Sequence, residues 1–436
     1  MYTRLSAPLD VQWELTPWCT YNCVHCYNYW RRGKRPKRTL SAKQLEVHNK
    51  SAQEIINSKV FHVTLTGGEP LGVLEQLMPE LLALKDAGVR ISINTNLALM
   101  NKRMISLLRQ LGIRAILTSL MSADPTLNDN IAQTKGAYRR TVAGIRLAIA
   151  NGFRVSVNMV ISQKNFHTIY ETGKLAYELG AQAFCATKVS KPFNCKDFSG
   201  YSLLTQQIQQ MFRELVRLKR DFGIQVASLE PYPACLFPDD ETRAEFGDRH
   251  CSAARTSCTL GFDGAIRPCS HAPISYGNAI EIGLLGAWQN MGMWRDGSLI
   301  PAACAVECRE YPKFCSAGCR IESLNAGTNL SGSDPYCLGS KPVAQRFVAK
   351  PELFPASAVI RLLSSVRFRK EDFGYIAYRS SANWQAIDST LHAILKSTLN
   401  EKGVTAKQIA QAYNATESDA LETMSILITR HIVEQV

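Results

Sequence analysis

The sequence predicts an α/β chain in three parts: a partial (β/α)6 TIM-like barrel over residues 1–235, a cysteine-rich domain over 236–345 and a winged-helix-like α+β module over 346–436. Three observations predict it. Between residues 10 and 222, short β-branched runs alternate with helical stretches. From 236 to 345 that periodicity dissolves, while eight of the 14 cysteines crowd into residues 251–337. After Pro351 the periodicity returns and cysteine disappears.

In chain order, VQWELT (11–16), VFHVTLT (60–66), VRISINT (89–95), IRAILTS (113–119), FRVSVNMVI (153–161) and QAFCATKV (182–189) read as strands. Helical stretches lie between and after them, at 41–58, 73–87, 101–111, 137–151, 165–180 and 203–221. Gly88, Gly112, Gly152, Gly180 and Gly223 stand just past five of those helices, where a left-handed cap residue is expected. Six β-α units imply a parallel sheet with helices outside. Six rather than eight imply an open, partial barrel, with chemistry at the C-terminal ends of the strands. The middle region is too poor in regular core to hold itself together without cross-links, which metal clusters would supply. In the last region FGYIAYRS (373–380) reads as a strand and 384–399 as a helix. TAKQIAQAY (405–413) is a helix capped by Thr405, and 415–433 a longer one capped by Thr416 with Asp419 three residues on. A strand followed by three helices suggests the winged-helix-like module.

A chain of 436 residues suits two or three domains, and 46% hydrophobic against 20% charged residues excludes disorder as its main state. No apolar run approaches the ~18 residues a membrane-spanning helix needs. Asp10 and Glu14 interrupt any secretory signal, so the expected compartment is the cytoplasm. In a reducing compartment 14 cysteines are metal ligands, catalytic thiols or buried small hydrophobes rather than disulfides. The formal net charge is +13, unevenly spread. Residues 1–50 hold nine Lys/Arg against three Asp/Glu, mostly in one run: Arg31, Arg32, Lys34, Arg35, Lys37 and Arg38. Such a run is either a solvated loop or a landing patch for an acidic peptide or a nucleic-acid backbone. Residues 350–436 carry ten basic and nine acidic residues, a balance that argues against DNA binding by the C-terminal module.

Cys19-x3-Cys23-x2-Cys26 falls in the loop after the first strand. Three thiolates on one short loop can hold three irons of a four-iron cluster and leave the fourth open. The alternative is a zinc knuckle, but zinc normally takes four protein ligands. The one extra candidate, His25, stands where strain disfavours co-ligation. Gly67-Gly68-Glu69-Pro70 follows the second strand. Two glycines let a ligand approach the backbone closely, and Glu69 can hold a cationic amine.

With these two motifs in these two loops, the sequence resembles the radical S-adenosylmethionine (SAM) superfamily over residues 10–222. The resemblance implies that Cys19, Cys23 and Cys26 bind a catalytic 4Fe-4S cluster. It implies that SAM chelates the open iron, with Gly67, Gly68, Glu69 and Pro70 along its methionine end. Tyr27 matches the aromatic near the adenine; Asn96 and Ser119, ending strands three and four, match positions that touch ribose and carboxylate. The chemistry implied is release of a 5′-deoxyadenosyl radical that takes a hydrogen from the substrate, on one electron from a donor such as flavodoxin or ferredoxin. One departure is visible: many relatives read Ser-Leu-Asp-Gly after strand four, whereas this chain reads Ser119-Leu120-Met121-Ser122.

The downstream cysteines resemble the SPASM extension, which holds auxiliary iron–sulfur clusters. Cys251 precedes Gly264-x4-Cys269, then the dense run Cys304-x3-Cys308-x6-Cys315-x3-Cys319, then Cys337. The family's run is one residue tighter in each of its first two gaps. Carried over, the resemblance places Cys251, Cys258, Cys269 and Cys319 on one 4Fe-4S cluster, and Cys304, Cys308, Cys315 and Cys337 on another; two structural zincs are the alternative.

SPASM proteins mostly act on peptides, and the layout is similar to peptide epimerases of natural-product pathways. That resemblance implies L-to-D epimerisation at Cα in a ribosomal precursor with a leader, which needs a thiol hydrogen donor. Cys195, Cys185 and Cys235 are the candidates, with Cys337 a fourth if its cluster is incomplete; each is otherwise an inert buried thiol. Thioether or carbon–carbon cross-linking is the rival within the class, and RNA modification the rival outside it. The C-terminal module resembles leader-recognition modules, in which an extended leader adds a strand to a sheet.

Overall fold

The computed structural model describes residues 4–28, 36–193, 195, 197–339, 355, 357–398 and 403–436. The chain forms two compact units, Asp10–Lys341 and a second made of Met1–Leu9 with Pro342–Val436. The expected division at 235/236 falls inside the larger unit.

In the larger unit seven parallel strands follow one another in chain order: β1 (Asp10–Glu14), β2 (His62–Thr66), β3 (Arg90–Asn94), β4 (Ala115–Ser119), β5 (Arg154–Ile161), β6 (Ala183–Lys188) and the short β7 (Gln225–Ala227). The helices between them are α1 (Ala42–Asn57), α2 (Met78–Asp86), α3 (Lys102–Gln110), α4 (Pro125–Ala132), α5 (Ala137–Ala150), α6 (Ile169–Glu178) and α7 (Thr205–Phe222). The partial parallel barrel expected from the sequence is therefore present, extended by β7 and with α4 added before α5. All five cap glycines have φ between +67° and +85°, a conformation that disfavours any residue with a Cβ.

The cysteine-rich region contains more regular structure than its sequence promised: α8 (Asp240–Phe246), β8 (Ser257–Leu260), β9 (Ile266–Arg267), α9 (Gly283–Asn290), α10 (Ala302–Val306) and α11 (Arg320–Asn325). β8 lies parallel beside β1, with Val11 opposite Cys258, and β9 is antiparallel to β8. The region thus continues the barrel sheet on the side of β1 away from β2. Buried Arg267 on β9 bonds to buried Glu14 on β1, fastening the extension in place.

The smaller unit holds β10 (Val359–Leu362), β11 (Arg367–Glu371), β12 (Gly374–Ser380), β13 (Asn383–Ile387), α12 (Ser389–Ser397), β14 (Val404–Thr405), α13 (Ala406–Tyr413), α14 (Glu417–Thr429) and β15 (Val433–Gln435). β11, β12 and β13 form an antiparallel meander, and β10 is flanked by β14 and β15. Thr405 and Thr416 are the expected caps, each in a reciprocal capping box. The expected helix over 384–399 is a correction. Asn383–Ile387 is a strand on β12, and only from Ser389 does the chain coil, because Asp388 accepts from the Leu391 amide and starts the helix there. The unit also recruits the chain's beginning. Buried Arg369 bonds Glu371 (2.7 Å) and donates to the carbonyls of Ala7 (2.7 Å) and Pro8 (2.8 Å), while the Ser6 amide donates to Glu371 (2.8 Å). Among the described residues, no helix is long and apolar enough to cross a membrane.

Candidate functional site

A cavity of about 410 Å³ opens within the larger unit, walled by the loops that leave β1 to β6 and by the cysteine-rich region. Its floor is the loop after β1. Cys19, Cys23 and Cys26 are all half-buried and all line the cavity. The loop is fixed from several sides. The Asn22 and Val24 amides donate to the carbonyls of Ala132 and Ile131, each at 3.1 Å. The Tyr21 hydroxyl donates to the Ala137 carbonyl at 2.9 Å. The Tyr21 amide points at Cys19 Sγ (3.5 Å), as does Asn96 Nδ2 (3.6 Å).

The loop after β2 is zipped to the one after β1. The Gly68 amide donates to the Thr16 carbonyl (2.6 Å) and the Glu69 amide to the Trp18 carbonyl (2.7 Å). Gly67 has φ +112°, and a Cβ on Gly68 would collide with the Trp18 carbonyl. Both positions therefore require glycine. Gly67 and Gly68 line the cavity beside the thiols, as do Asn96 and Ser119. Glu69 and Pro70 stand behind them. The Glu69 carboxylate accepts from the Thr95 hydroxyl (2.5 Å), the Asn96 amide (2.9 Å) and the Leu71 amide (3.1 Å). Its geometry orients the loop after β3, and full burial pushes its pKa up to about 7 against those hydrogen bonds. Tyr27 lines the cavity and stacks on His271, with ring centroids 4.6 Å apart. Burial raises the tyrosine and lowers the His271 pKa to about 4, so His271 is neutral at pH 7.

The opposite wall holds a polar cluster that the sequence reading missed. Lys188, the last residue of β6, places Nζ 3.2 Å from Glu230 and 3.1 Å from Glu322. Burial alone would lower the ammonium, but the two carboxylates overcome it and hold it well above its ordinary value. Burial pushes Glu230 up to about 7; for Glu322 burial is again the largest influence, but Lys188, the hydrogen bond from Ser190 and His271 together outweigh it and hold the carboxyl down. The signal was available: Lys188 is a lone charge at the C-terminal end of an otherwise uncharged strand.

Three of the four thiols expected on the first auxiliary cluster, Cys251, Cys269 and Cys319, line the same cavity. Burial raises Cys269 to about 11, with a further push from Cys251. Cys258 faces away from the cavity, buried on β8 with its thiol pushed up to about 12. The thiols expected on the second cluster lie outside the cavity but near one another. Burial raises Cys304 to about 11, followed by the influence of Cys337, Cys308 and Cys315. The Cys315 sulfur accepts from the amides of Ala234 (3.4 Å) and Ala317 (3.3 Å). N–H···S bonds of this kind recur around iron–sulfur clusters; among the described residues, no group of three or more His, Cys, Asp or Glu is placed to hold a metal ion. None of the four candidate hydrogen-donor thiols lines the cavity. Cys185 is buried inside β6 and raised by burial to about 11. Cys195 hydrogen-bonds its own turn at the Asp197 carbonyl, and Cys235 and Cys337 lie beside each other. Of the basic run, Arg31, Arg32, Lys34 and Arg35 lie outside the described residues, and Arg38 is turned inward, donating to the Gly72 carbonyl (2.9 Å) over the Trp18 ring.

Residues 13–176 match the Radical SAM superfamily. The chain is 26% identical over 361 residues to the AdoMet-dependent heme synthase of Methanosarcina barkeri, covering 78% of this chain and 98% of that protein. It is 26% identical over 344 residues to the mycofactocin maturase MftC of Mycobacterium tuberculosis, covering 77% and 84%. Among solved structures, SuiB of Streptococcus suis bound to S-adenosylmethionine superposes with a TM-score of 0.61 at 19% identity, covering 77% of this chain and 78% of that one. That likeness is one of fold.

Proposed function

We propose that the chain is a radical SAM enzyme that uses S-adenosylmethionine and a 4Fe-4S cluster, and that it matures a ribosomally made precursor peptide. The observation that carries the reading is the smaller unit's peptide-sized groove. It holds about 370 Å³ beside β13 and is lined by Ile387, Leu391, Ile409, Tyr413, Ala420 and Leu427 among others. β13 pairs with β12 on one side only among the described residues. An extended leader adds a strand there and sets alternate side chains into the groove. Among the similar proteins, MftC is named a maturase, and SuiB is also known bound to the precursor peptide SuiA.

When bound, SAM and the cluster supply a hydrogen-abstracting carbon radical at the cavity floor. The chain's own residues aim it. Cys19, Cys23 and Cys26 hold the cluster, Gly67 and Gly68 let SAM lie against backbone, and Glu69 sets the Asn96 loop. Two outcomes then compete. Epimerisation returns a hydrogen from Cys185, Cys195, Cys235 or Cys337, all of them outside the cavity lining. Thioether or carbon–carbon linking removes an electron instead, and Cys251, Cys269 and Cys319 in the wall favour this outcome by bringing an auxiliary cluster beside the substrate.

Coexpression with a precursor in heavy water tests both. A linked product is two hydrogens lighter than the precursor. Deuterium at Cα without that loss establishes the epimerase and overturns the oxidative outcome. SAM cleavage stimulated by an iron porphyrin and not by peptide would replace the peptide reading with one akin to the heme synthase. The electron donor, such as flavodoxin or ferredoxin, completes the system.

A further inference from the structure

The cavity contains one charge that its own walls do not answer. Three of its described lining residues carry a fixed cation: Lys188, Arg249 and Arg320. Lys188 is held between Glu230 and Glu322. Arg320 turns its guanidinium to the carbonyls of Leu299 (3.2 Å), Gly332 (2.9 Å) and Ala317. Arg249 differs. Its Nη2 donates to the Leu229 carbonyl (2.8 Å), and among the described residues it makes no ion pair. Glu230, the one carboxylate among the described lining residues, is occupied already: Oε2 by Lys188 (3.2 Å) and Oε1 by the Tyr232 hydroxyl (3.3 Å). Burial draws the Arg249 pKa down, so protein encloses the group, yet the residue is exposed. Its open surface is therefore that of the cavity. A guanidinium stays charged at any ordinary pH, and an enclosed charge without a counter-ion is costly.

The perch is also fixed. Leu229 lies two residues past β7, and its amide donates to Thr187 Oγ1 (3.2 Å), which in turn donates to Asn158 Oδ1 (2.9 Å). The ends of β5 and β6 thereby set the carbonyl that sets Arg249. Four strands separate β7 from β2 in the sheet, so the guanidinium is anchored away from the Gly67–Gly68 loop. We propose that Arg249 is a specificity-determining residue that takes a carboxylate of the substrate through its planar fork of N–H donors. On the peptide reading, that carboxylate is an Asp or Glu side chain close to the reacting residue, or the peptide's own C-terminus. The inference rests on that reading for the identity of the substrate and not for the carboxylate.

The test is equilibrium binding of four probes to the full chain, loaded anaerobically and saturated with SAM. N-acetyl-glutamate α-amide presents a side-chain carboxylate, acetyl-Gly-Gly a terminal one, and coproporphyrin several on one ring; N-acetyl-glutamine α-amide is the neutral reference. At least one carboxylate probe should bind wild type more tightly than the neutral amide. Arg249→Gln should weaken that probe by about ten- to a hundredfold, Arg249→Lys should restore part of the loss, and the neutral amide and SAM should bind all three proteins alike. The probe that responds identifies the source of the carboxylate. A response from coproporphyrin alone keeps the Arg249 subsite and refutes the peptide reading. Carboxylate probes that bind no better than the amide, or equally well to wild type and Arg249→Gln, overturn the proposal. So does a variant in which SAM affinity falls instead, because the carboxylate held is then SAM's own. Phenylglyoxal labelling of the unmutated chain, read by peptide mass spectrometry, guards against misfolding of the variants. The responding probe should protect Arg249, and equal labelling with and without it overturns the proposal.

Discussion

Asn28 Nδ2 donates to the carbonyl oxygen of Gly67 at 2.6 Å, joining residues 39 apart in sequence. Asn28 lies two residues past Cys26, so one buried amide clamps the thiol loop to the glycine loop. On the proposed assignment, cluster and SAM meet along that seam. Removing the clamp gives up a net ~0.5–1.5 kcal/mol. Asn28→Ala should therefore weaken SAM binding by up to about tenfold while iron content stays at the wild-type level. Equilibrium binding of SAM to the loaded protein measures this, and an unchanged affinity would mean the two loops hold their geometry without Asn28.

Gly68 makes a sharper case. A Cβ there would overlap the Trp18 carbonyl, which already accepts the Glu69 amide. Backbone cannot yield as a flexible side chain can, so Gly68→Ala must push the β1 and β2 loops apart. Overpacking of this kind costs about 1–3 kcal/mol, and if that strain falls where SAM is proposed to lie, cleavage should drop by about five- to a hundredfold. Gly200→Ala, with nothing within 4 Å of its added carbon, is the control and should match wild type. Equal rates of SAM cleavage in the two variants would show that the close approach at Gly68 is not needed.

These two loops were legible in the sequence because each signal was local. Cysteine spacing, paired glycines and strand-end position all lie within a few residues of one another. The cap glycines were legible for the same reason, since φ is a property of one residue. Non-local choices were not. Nothing near Ser6 announces that Arg369 will hold the adjoining carbonyls. Asn383–Ile387 has weak local preference, and its pairing with β12 overrode the helical reading. Cys235 looked isolated because Cys337, the thiol it lies beside, is 102 residues away in sequence.

Lys188 tests the opposite wall. Its Nζ is nearly inaccessible and lies between two carboxylates. Lys188→Met keeps the volume but leaves Glu322 charged and buried without its counter-ion, a change that costs about 3–5 kcal/mol. Replacing Glu230 and Glu322 by Gln in the same chain removes the stranded charge and should recover most of the loss. Denaturant unfolding of the four variants, followed as a cycle, reads the coupling. If the triple variant is as unstable as Lys188→Met, the ammonium matters for packing and not for charge.

Glu69 gives a pH dependence with a definite sign. Its carboxyl titrates at about 7 in the folded chain, against an ordinary value of 4.5, and the leading cause is burial. Between those values the native state holds a proton that the unfolded state has released, so stability falls as pH rises through the window. Below pH 4.5 both states are protonated and the group contributes no difference. Above about pH 7 the full penalty is present, of order 3 kcal/mol for a shift of this size. Glu69→Gln cannot titrate, so its stability relative to wild type should improve by that order between pH 5 and pH 7.5, even as SAM binding suffers from the altered Asn96 loop. Urea unfolding of both proteins at the two pH values measures the difference. Parallel pH profiles would show that the three hydrogen bonds to Glu69 compensate its burial in full.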